Sequence, residues 1–366
     1  MNKKQNASRP KEFLILLLLI AALTANVLYW GGKKEGYHTD EMFSYAQIGD
    51  TEYWRIWFDR PGEPYLNYWH DPSYYETFLT VSADEAFDLA GAWNTACDND
   101  AHPPLYFVML DLVTSLFFQD DYTKWSGLVT NLPFYVLSLL LVYLSGKKLF
   151  GGRFLPSAVG MLFFGGCVGV VSIAIYIRMY MMAVFFSALL FYVHCLLYYI
   201  SNVFPEICLI SCYIAYHAVG WFTSSRSCRA AALCILVLLG GLGYLQTGVS
   251  YLYLGCSEQL SLLQHFPDHR AIVVTDVDSD CANLAPYLLE SSAVYQSHVE
   301  NISALYPGFH AAPSEIVILY INYQNPDLTI GQIASNVKDG LRAKNILNLF
   351  HTVGTQTCEV YALSFD

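Results

Sequence analysis

Three short patches of this 366-residue chain hold residue types that do chemistry. The first is Tyr37-His38-Thr39-Asp40-Glu41. Two adjacent carboxylates just past an apolar run sit where the dielectric is falling, which makes an unpaired acid a useful general base. A solvated acidic pair is the plainer reading of the same residues. The second patch is Asp98-Asn99-Asp100-Ala101-His102-Pro103-Pro104-Leu105-Tyr106. Pro103 and Pro104 fix two φ angles and suit a first helical turn. They therefore start a helix with Asp100 and His102 at its mouth. Helix capping would explain Asp100 but not His102. The third patch is Arg178, between Tyr176 and Tyr180. Arginine is costly near lipid and is usually paired or functional there, and its planar fork suits phosphate oxygens. An arginine snorkelling to lipid headgroups is the plainer alternative.

The elements that must position these patches are read from composition. The chain is 55% hydrophobic and 16% aromatic with only 14% charged residues, and its mean hydropathy is +0.35. Soluble domains carry about 25% charged residues, so lipid is the expected main solvent. The net charge of −12 argues against nucleic acid, which needs a basic face. The first apolar run, Phe13 to Trp30, follows Lys3, Lys4, Arg9 and Lys11. It is long enough to cross about 30 Å of hydrocarbon, and its basic flank places the N-terminus in the cytoplasm. An uncleaved anchor is preferred over a signal peptide, because the run continues to Tyr29-Trp30.

From Gly31 to about Trp125 the text changes. Up to Tyr122 it holds seventeen Asp and Glu against four Lys and Arg, which places this loop outside. Further apolar stretches are Leu105–Phe118, Leu128–Leu144, Leu155–Tyr176, Met179–Ile200, Ile207–Phe222 and Ala230–Leu254. The first is short and interrupted by Asp111, so an interfacial or re-entrant helix is expected. Leu128–Leu144 then crosses inward to the basic turn at Lys147, Lys148 and Arg153. Leu155–Tyr176 rises, and the stretch from Met179 descends. Simple parity fails afterwards, because Arg226 and Arg229 resemble a cytoplasmic turn on the wrong side.

From Ser257 onward a small soluble α/β domain is expected. Ala271–Thr275, Glu315–Ile321 and Glu359–Leu363 read as strands, and Gly331–Lys344 reads as an amphipathic helix. No phosphate-binding glycine loop is present, so nucleotide binding is unsupported. Cys167, Cys195, Cys208, Cys212 and Cys234 read as small buried hydrophobes. Cys97, Cys256, Cys281 and Cys358 could pair outside the membrane. The expected fold class is a polytopic α-helical membrane protein with a large extracytoplasmic first loop and a small C-terminal α/β domain. Its expected domains are 1–256 and 257–366.

Taken in order, the patches resemble those of the GT-C membrane glycosyltransferases, in the branch of bacterial protein O-mannosyltransferases and aminoarabinose transferases. The resemblance rests on Asp40-Glu41, on Asp100-Ala101-His102-Pro103-Pro104-Leu105, on Asn131-Leu132-Pro133 through Gly146-Lys147-Lys148-Leu149-Phe150-Gly151, and on Arg178-Met179-Tyr180. It covers about residues 12 to 200. The chain has fewer spans than such proteins usually carry, and Tyr176-Ile177 stand where a Glu is common before the Arg-Met-Tyr.

That resemblance implies a donor sugar on polyprenyl phosphate and transfer, with inversion, to an acceptor hydroxyl at the extracytoplasmic face. Asp40 would be the general base and Glu41 its assistant. Arg178 and Tyr180 would hold the donor phosphate. Asp100 and His102 would shape the acceptor side or bind a divalent metal ion, the one cofactor to consider. The implied partners are a polyprenyl-phosphate-linked sugar, membrane lipids and a cell-envelope acceptor (protein, lipid or glycopolymer). A bacterial cell membrane is the implied location. The reduced number of spans supplies the alternative, a non-catalytic family member that binds lipid or assists assembly.

Overall fold

The computed structural model describes residues 9–49, 66–76, 79–98, 102–198, 249–276, 284–312, 314–324, 328–353 and 358–365. The chain separates into two compact units. One combines Met1–Lys34 with Gly127–Tyr251, and the other combines Glu35–Ser126 with Leu252–Asp366.

The first unit is helical. Helix α1 (Arg9–Lys33) displays Phe13, Leu14, Leu17 and Leu18 on its outside, as a lipid-facing helix does. It is long and apolar enough to cross a membrane, and so is a second helix, Lys124–Leu149. Near the start of α1, Glu12 meets Lys147 of that second helix at 3.6 Å. At the other end, Gly31 lies so close to Leu128 that an added Cβ would sit 2.9 Å from its Cδ1. The two helices therefore run antiparallel. The turn beyond Leu149 uses Gly151 and Gly152 at positive φ, where L side chains are strained.

The stretch Leu155–Tyr176, read from sequence as one span, is broken. Two helices, Phe154–Gly166 and Val168–Ile175, meet at 55°. Cys167 between them is extended (φ −72°, ψ 143°). Gly165-Gly166 weakens the helix just before the break. The Tyr135 hydroxyl donates to the Gly165 carbonyl at 2.8 Å, which supplies a partner where the helical ladder ends. Counting the bent pair as one gives up to three candidate spans among the described residues. A further apolar helix follows at Tyr180–Tyr198. The stretch Ile207–Phe222, most of Ala230–Leu254, and Arg226 and Arg229 lie outside the described residues.

Among the described residues, the second unit is built on a mixed six-stranded sheet. Its strands are β1 (Trp69–His70), β2 (Arg270–Thr275), β3 (Ala293–His298), β4 (Ile316–Asn322), β5 (Asn345–Phe350) and β6 (Cys358–Ser364), in the order β1-β3-β2-β4-β6-β5. The central three, β3, β2 and β4, are parallel; β1, β6 and β5 join antiparallel. Residues alternate between two cores, as the pleat requires. Ala271, Val273, Ile318, Tyr320 and Val360 enter one. Ile272, Val274, Leu319, Ile321 and Leu363 enter the other. Covered on both faces, β2 and β4 read as nearly unbroken apolar runs. Helix Ile330–Leu341 closes the second core with Ile333, Ala334, Val337 and Leu341, and Thr329 and Gln332 form a capping box at its start.

This grouping differs from the expected division at residue 257. Part of the acidic loop belongs to the α/β fold: Trp69 and His70 pair with Tyr295 and Val294, and Met42, Ala46, Tyr74, Tyr75 and Leu79 lie in the first core. Burial of apolar area binds the loop to the sheet, a term that charge counting does not register. Three helices of the loop pack on one another: α2 (Thr39–Gly49), α3 (Leu89–Asp98) and α4 (Pro104–Phe117). The short apolar helix expected at Leu105–Phe118 is thus α4, and it belongs to the sheet-containing unit.

Candidate functional site

Asp40 and Glu41 open helix α2, but the backbone gives them different work. The His38 carbonyl accepts from Glu41 N at 2.9 Å and Met42 N at 3.2 Å, so His38 is the N-cap. Its ring Nδ1 accepts from Asp40 N at 3.1 Å. In return, Glu41 Oε2 accepts the His38 N–H at 2.7 Å. This is a reciprocal cap akin to a capping box, with the His38 ring taking the N–H of the second helical residue rather than the third. Glu41 is fully buried, and its carboxylate holds the helix start.

Asp40 points the other way. Its side chain is 37% exposed, and its Oδ2 lies 3.7 Å from His38 Nδ1. That ring nitrogen is already the acceptor for the Asp40 N–H, so the contact is electrostatic proximity rather than a second hydrogen bond. Asp40 is the carboxylate of the pair that solvent reaches.

Behind the pair stands a cluster of three tyrosines. Tyr37 packs edge-on to Tyr45 with ring centroids 5.9 Å apart, and Tyr122 lies 4.8 Å from Tyr37 and 5.6 Å from Tyr45. The Tyr45 hydroxyl donates to the Thr123 carbonyl at 2.9 Å and accepts from Ser126 Oγ at 3.1 Å. Burial first, and then the neighbouring phenols and Glu41, push the ionisation of Tyr37 and Tyr122 well above the ordinary tyrosine value. Both remain neutral aromatic walls.

His102 precedes α4 and sets its ring edge-on to Phe107 at 6.1 Å. His102 thus stands just before α4, which packs on α2, the helix that carries Asp40. Asp100 lies outside the described residues. No group of three or more His, Cys, Asp or Glu arranged to hold a metal ion occurs among the described residues.

Arg178 and Tyr180 belong to the helical unit. Arg178 is buried, whereas Tyr180 is exposed. The segment that carries them follows the bent pair. Asn131 Nδ2 ties it down, donating to the carbonyls of Tyr176 at 2.7 Å and Ala174 at 3.2 Å. The Tyr176 ring lies between those of Tyr180 and Tyr251, 5.7 Å and 4.0 Å away and nearly parallel to both. Gly127 permits the close approach of Ile177, whose Cγ2 would lie 2.1 Å from an added Cβ. No protein-family model, curated protein or solved structure matches the chain.

In the sequence Asp111 stands out only as an interruption of an apolar run. It proves to be a carboxyl on α4 with 1% exposure. Ser115 Oγ donates to its Oδ1 at 3.1 Å, and its Oδ2 has no hydrogen-bond partner among the described residues. Burial raises its pKa to about 6, against the lowering effect of the Ser115 bond and with a small upward push from Asp88. Cys97 and Cys256 are free thiols.

Proposed function

We propose that this protein is a multi-pass cell-membrane glycosyltransferase that moves a sugar from a polyprenyl-phosphate donor to an acceptor hydroxyl at the extracytoplasmic face. Asp40 takes the acceptor proton while the hydroxyl oxygen bonds to the anomeric carbon. The bond from that carbon to the phosphate oxygen breaks, and its electron pair leaves with the lipid phosphate. One displacement inverts the anomeric centre. Arg178 and Tyr180 are assigned to the donor phosphate, where charge grows in the transition state. His102 and Asp100 are assigned to the acceptor side.

What supports the reading is the division between the two neighbouring acids. Glu41 is committed to its helix cap, whereas Asp40 stays half-open to solvent at the head of α2. A general base must reach its substrate, and Asp40 meets that condition. The test is transfer from a labelled polyprenyl-phosphate sugar in membranes, wild type against Asp40→Asn. A drop of about 100-fold or more is expected, in line with the loss of a general base. Equal turnover would remove Asp40 from this role. Donor-lipid binding without transfer in either protein would favour the lipid-binding or assembly alternative.

A further inference from the structure

The sheet-containing unit holds a cavity of about 180 Å³ that the proposed transfer chemistry does not use. Its walls include Tyr37, Tyr122 and Tyr287, with Met42 at the side and the carboxylates Glu35 and Glu290. Drug-sized and cofactor sites run to about 300–1,000 Å³, so this volume suits a headgroup-sized ligand rather than a nucleotide.

The polar groups of the walls narrow the chemistry. Two of the phenol hydroxyls are already engaged: Tyr122 donates to Met42 Sδ at 3.0 Å, and Tyr287 donates to Gln259 Oε1 at 3.1 Å. These tyrosines therefore offer ring surface rather than free hydroxyls. Among the described residues, every charged residue lining the cavity is an acid. Glu35 is partly committed, accepting from Gly255 N at 2.7 Å and Ser257 Oγ at 2.9 Å through one oxygen, and Lys124 stands near it. Glu290 is exposed at the rim. Aromatic walls with carboxylates, and no basic side chain among the described lining residues, repel anions. They favour a soft cation that gains from the negative faces of the rings.

We infer that this cavity binds a small alkylammonium group, such as the quaternary ammonium of a choline-like molecule. Two sources carry that chemistry, a free ammonium compound and a lipid headgroup. The inference stands on the cavity walls and does not depend on the transfer reaction or on Asp40.

The experiment uses the full chain in a detergent without ammonium groups. Choline and its neutral isostere 3,3-dimethylbutan-1-ol are titrated in parallel by calorimetry or ligand-observed NMR. Saturable choline binding is expected, with the isostere about tenfold weaker or worse, a difference of about 1.4 kcal/mol. Glu290→Gln, at an exposed position, is expected to weaken choline several-fold while leaving the isostere unchanged. Tyr122→Phe keeps the ring and is expected to keep binding; Tyr122→Leu is expected to lose it. Equal affinity for choline and the isostere overturns the inference, as does the absence of saturable choline binding. If Tyr122→Leu does not fold, the isostere comparison and Glu290→Gln still decide. Bilayer discs separate the sources: phosphatidylcholine discs that weaken free choline relative to phosphatidylglycerol discs indicate a headgroup, and equal affinities indicate a free ligand.

Discussion

Glu41 Oε2 accepts the backbone N–H of His38 at 2.7 Å, closing a ring in which the His38 side chain caps the helix that Glu41 belongs to. The two acids of the Asp40-Glu41 pair are thereby separated into one structural and one accessible group. The distinction has a direct test in stability. Glu41→Ala strands the partly buried His38 N–H and is expected to cost about 1–3 kcal/mol. Glu41→Gln keeps an acceptor oxygen in place and is expected to lose less than half as much. Thermal unfolding of both variants in detergent checks this. Equal losses would mean that the cap is not what Glu41 supplies.

Asp111 predicts a pH dependence. Its folded pKa of about 6 exceeds the ordinary 3.8, so between these values the folded state holds more protons than the unfolded one. Stability contributed by this group therefore falls as pH rises from about 4 to about 6, by at most about 3 kcal/mol. Asp111→Asn keeps the acceptor for Ser115 and removes the charge. The variant is expected to be more stable than wild type by about 1–3 kcal/mol above pH 7 and to match it near pH 4. Parallel stability curves for the two proteins would rule out the buried ionisation.

Gly127 and Ile177 should be coupled. A methyl at Gly127 would overlap Ile177 Cγ2 at 2.1 Å, and overpacking of this kind costs about 1–3 kcal/mol. Ile177→Ala made in the Gly127→Ala background is expected to recover part of that loss, although Ile177→Ala alone destabilises. Melting temperatures of the four proteins form the cycle that measures the coupling. Simple additivity would count against the close packing.

Much of this was legible in the sequence, and the gaps have physical causes. Strands β2, β4 and β6 were readable because burial on both faces demands continuous apolar residues. Strand β3, AVYQSH, was not, because its buried Gln296 and Ser297 are satisfied by partners distant in sequence: Gln296 accepts from Tyr75, and Ser297 donates to Asn67. The cap at His38 was hidden because the usual pattern needs Ser or Thr at that position. Hydropathy marks the helices of the first unit but not the break at Cys167, which depends on Gly165-Gly166 and on the distant hydroxyl of Tyr135. The tyrosine cavity gave no signal, since its walls come from segments more than 200 residues apart, Tyr37 and Tyr287 among them.

The most informative stability experiment concerns the acidic loop. Tyr75 is fully buried and donates to Gln296 Oε1 at 3.4 Å, while Asn67 N donates to the Gln296 carbonyl at 2.8 Å. Arg270 places its guanidinium 5.2 Å from the Trp69 ring. Removing residues 35–126 would uncover the core face formed by Ala271, Val273, Ile318 and Val360, and would leave the edge of β3 unpaired. Fully burying each large apolar side chain is worth about 1.5–3 kcal/mol, and five loop residues share that core: Met42, Ala46, Tyr74, Tyr75 and Leu79. Their combined loss rivals the whole stability of a small domain, about 5–15 kcal/mol. A fragment of residues 252–366 is therefore expected to expose apolar surface, with strong binding of a hydrophobic dye and no cooperative melt. Joining 35–126 to the same fragment through a flexible linker should restore a cooperative transition. A fragment that melts sharply on its own would show that the loop is an appendage rather than part of the fold.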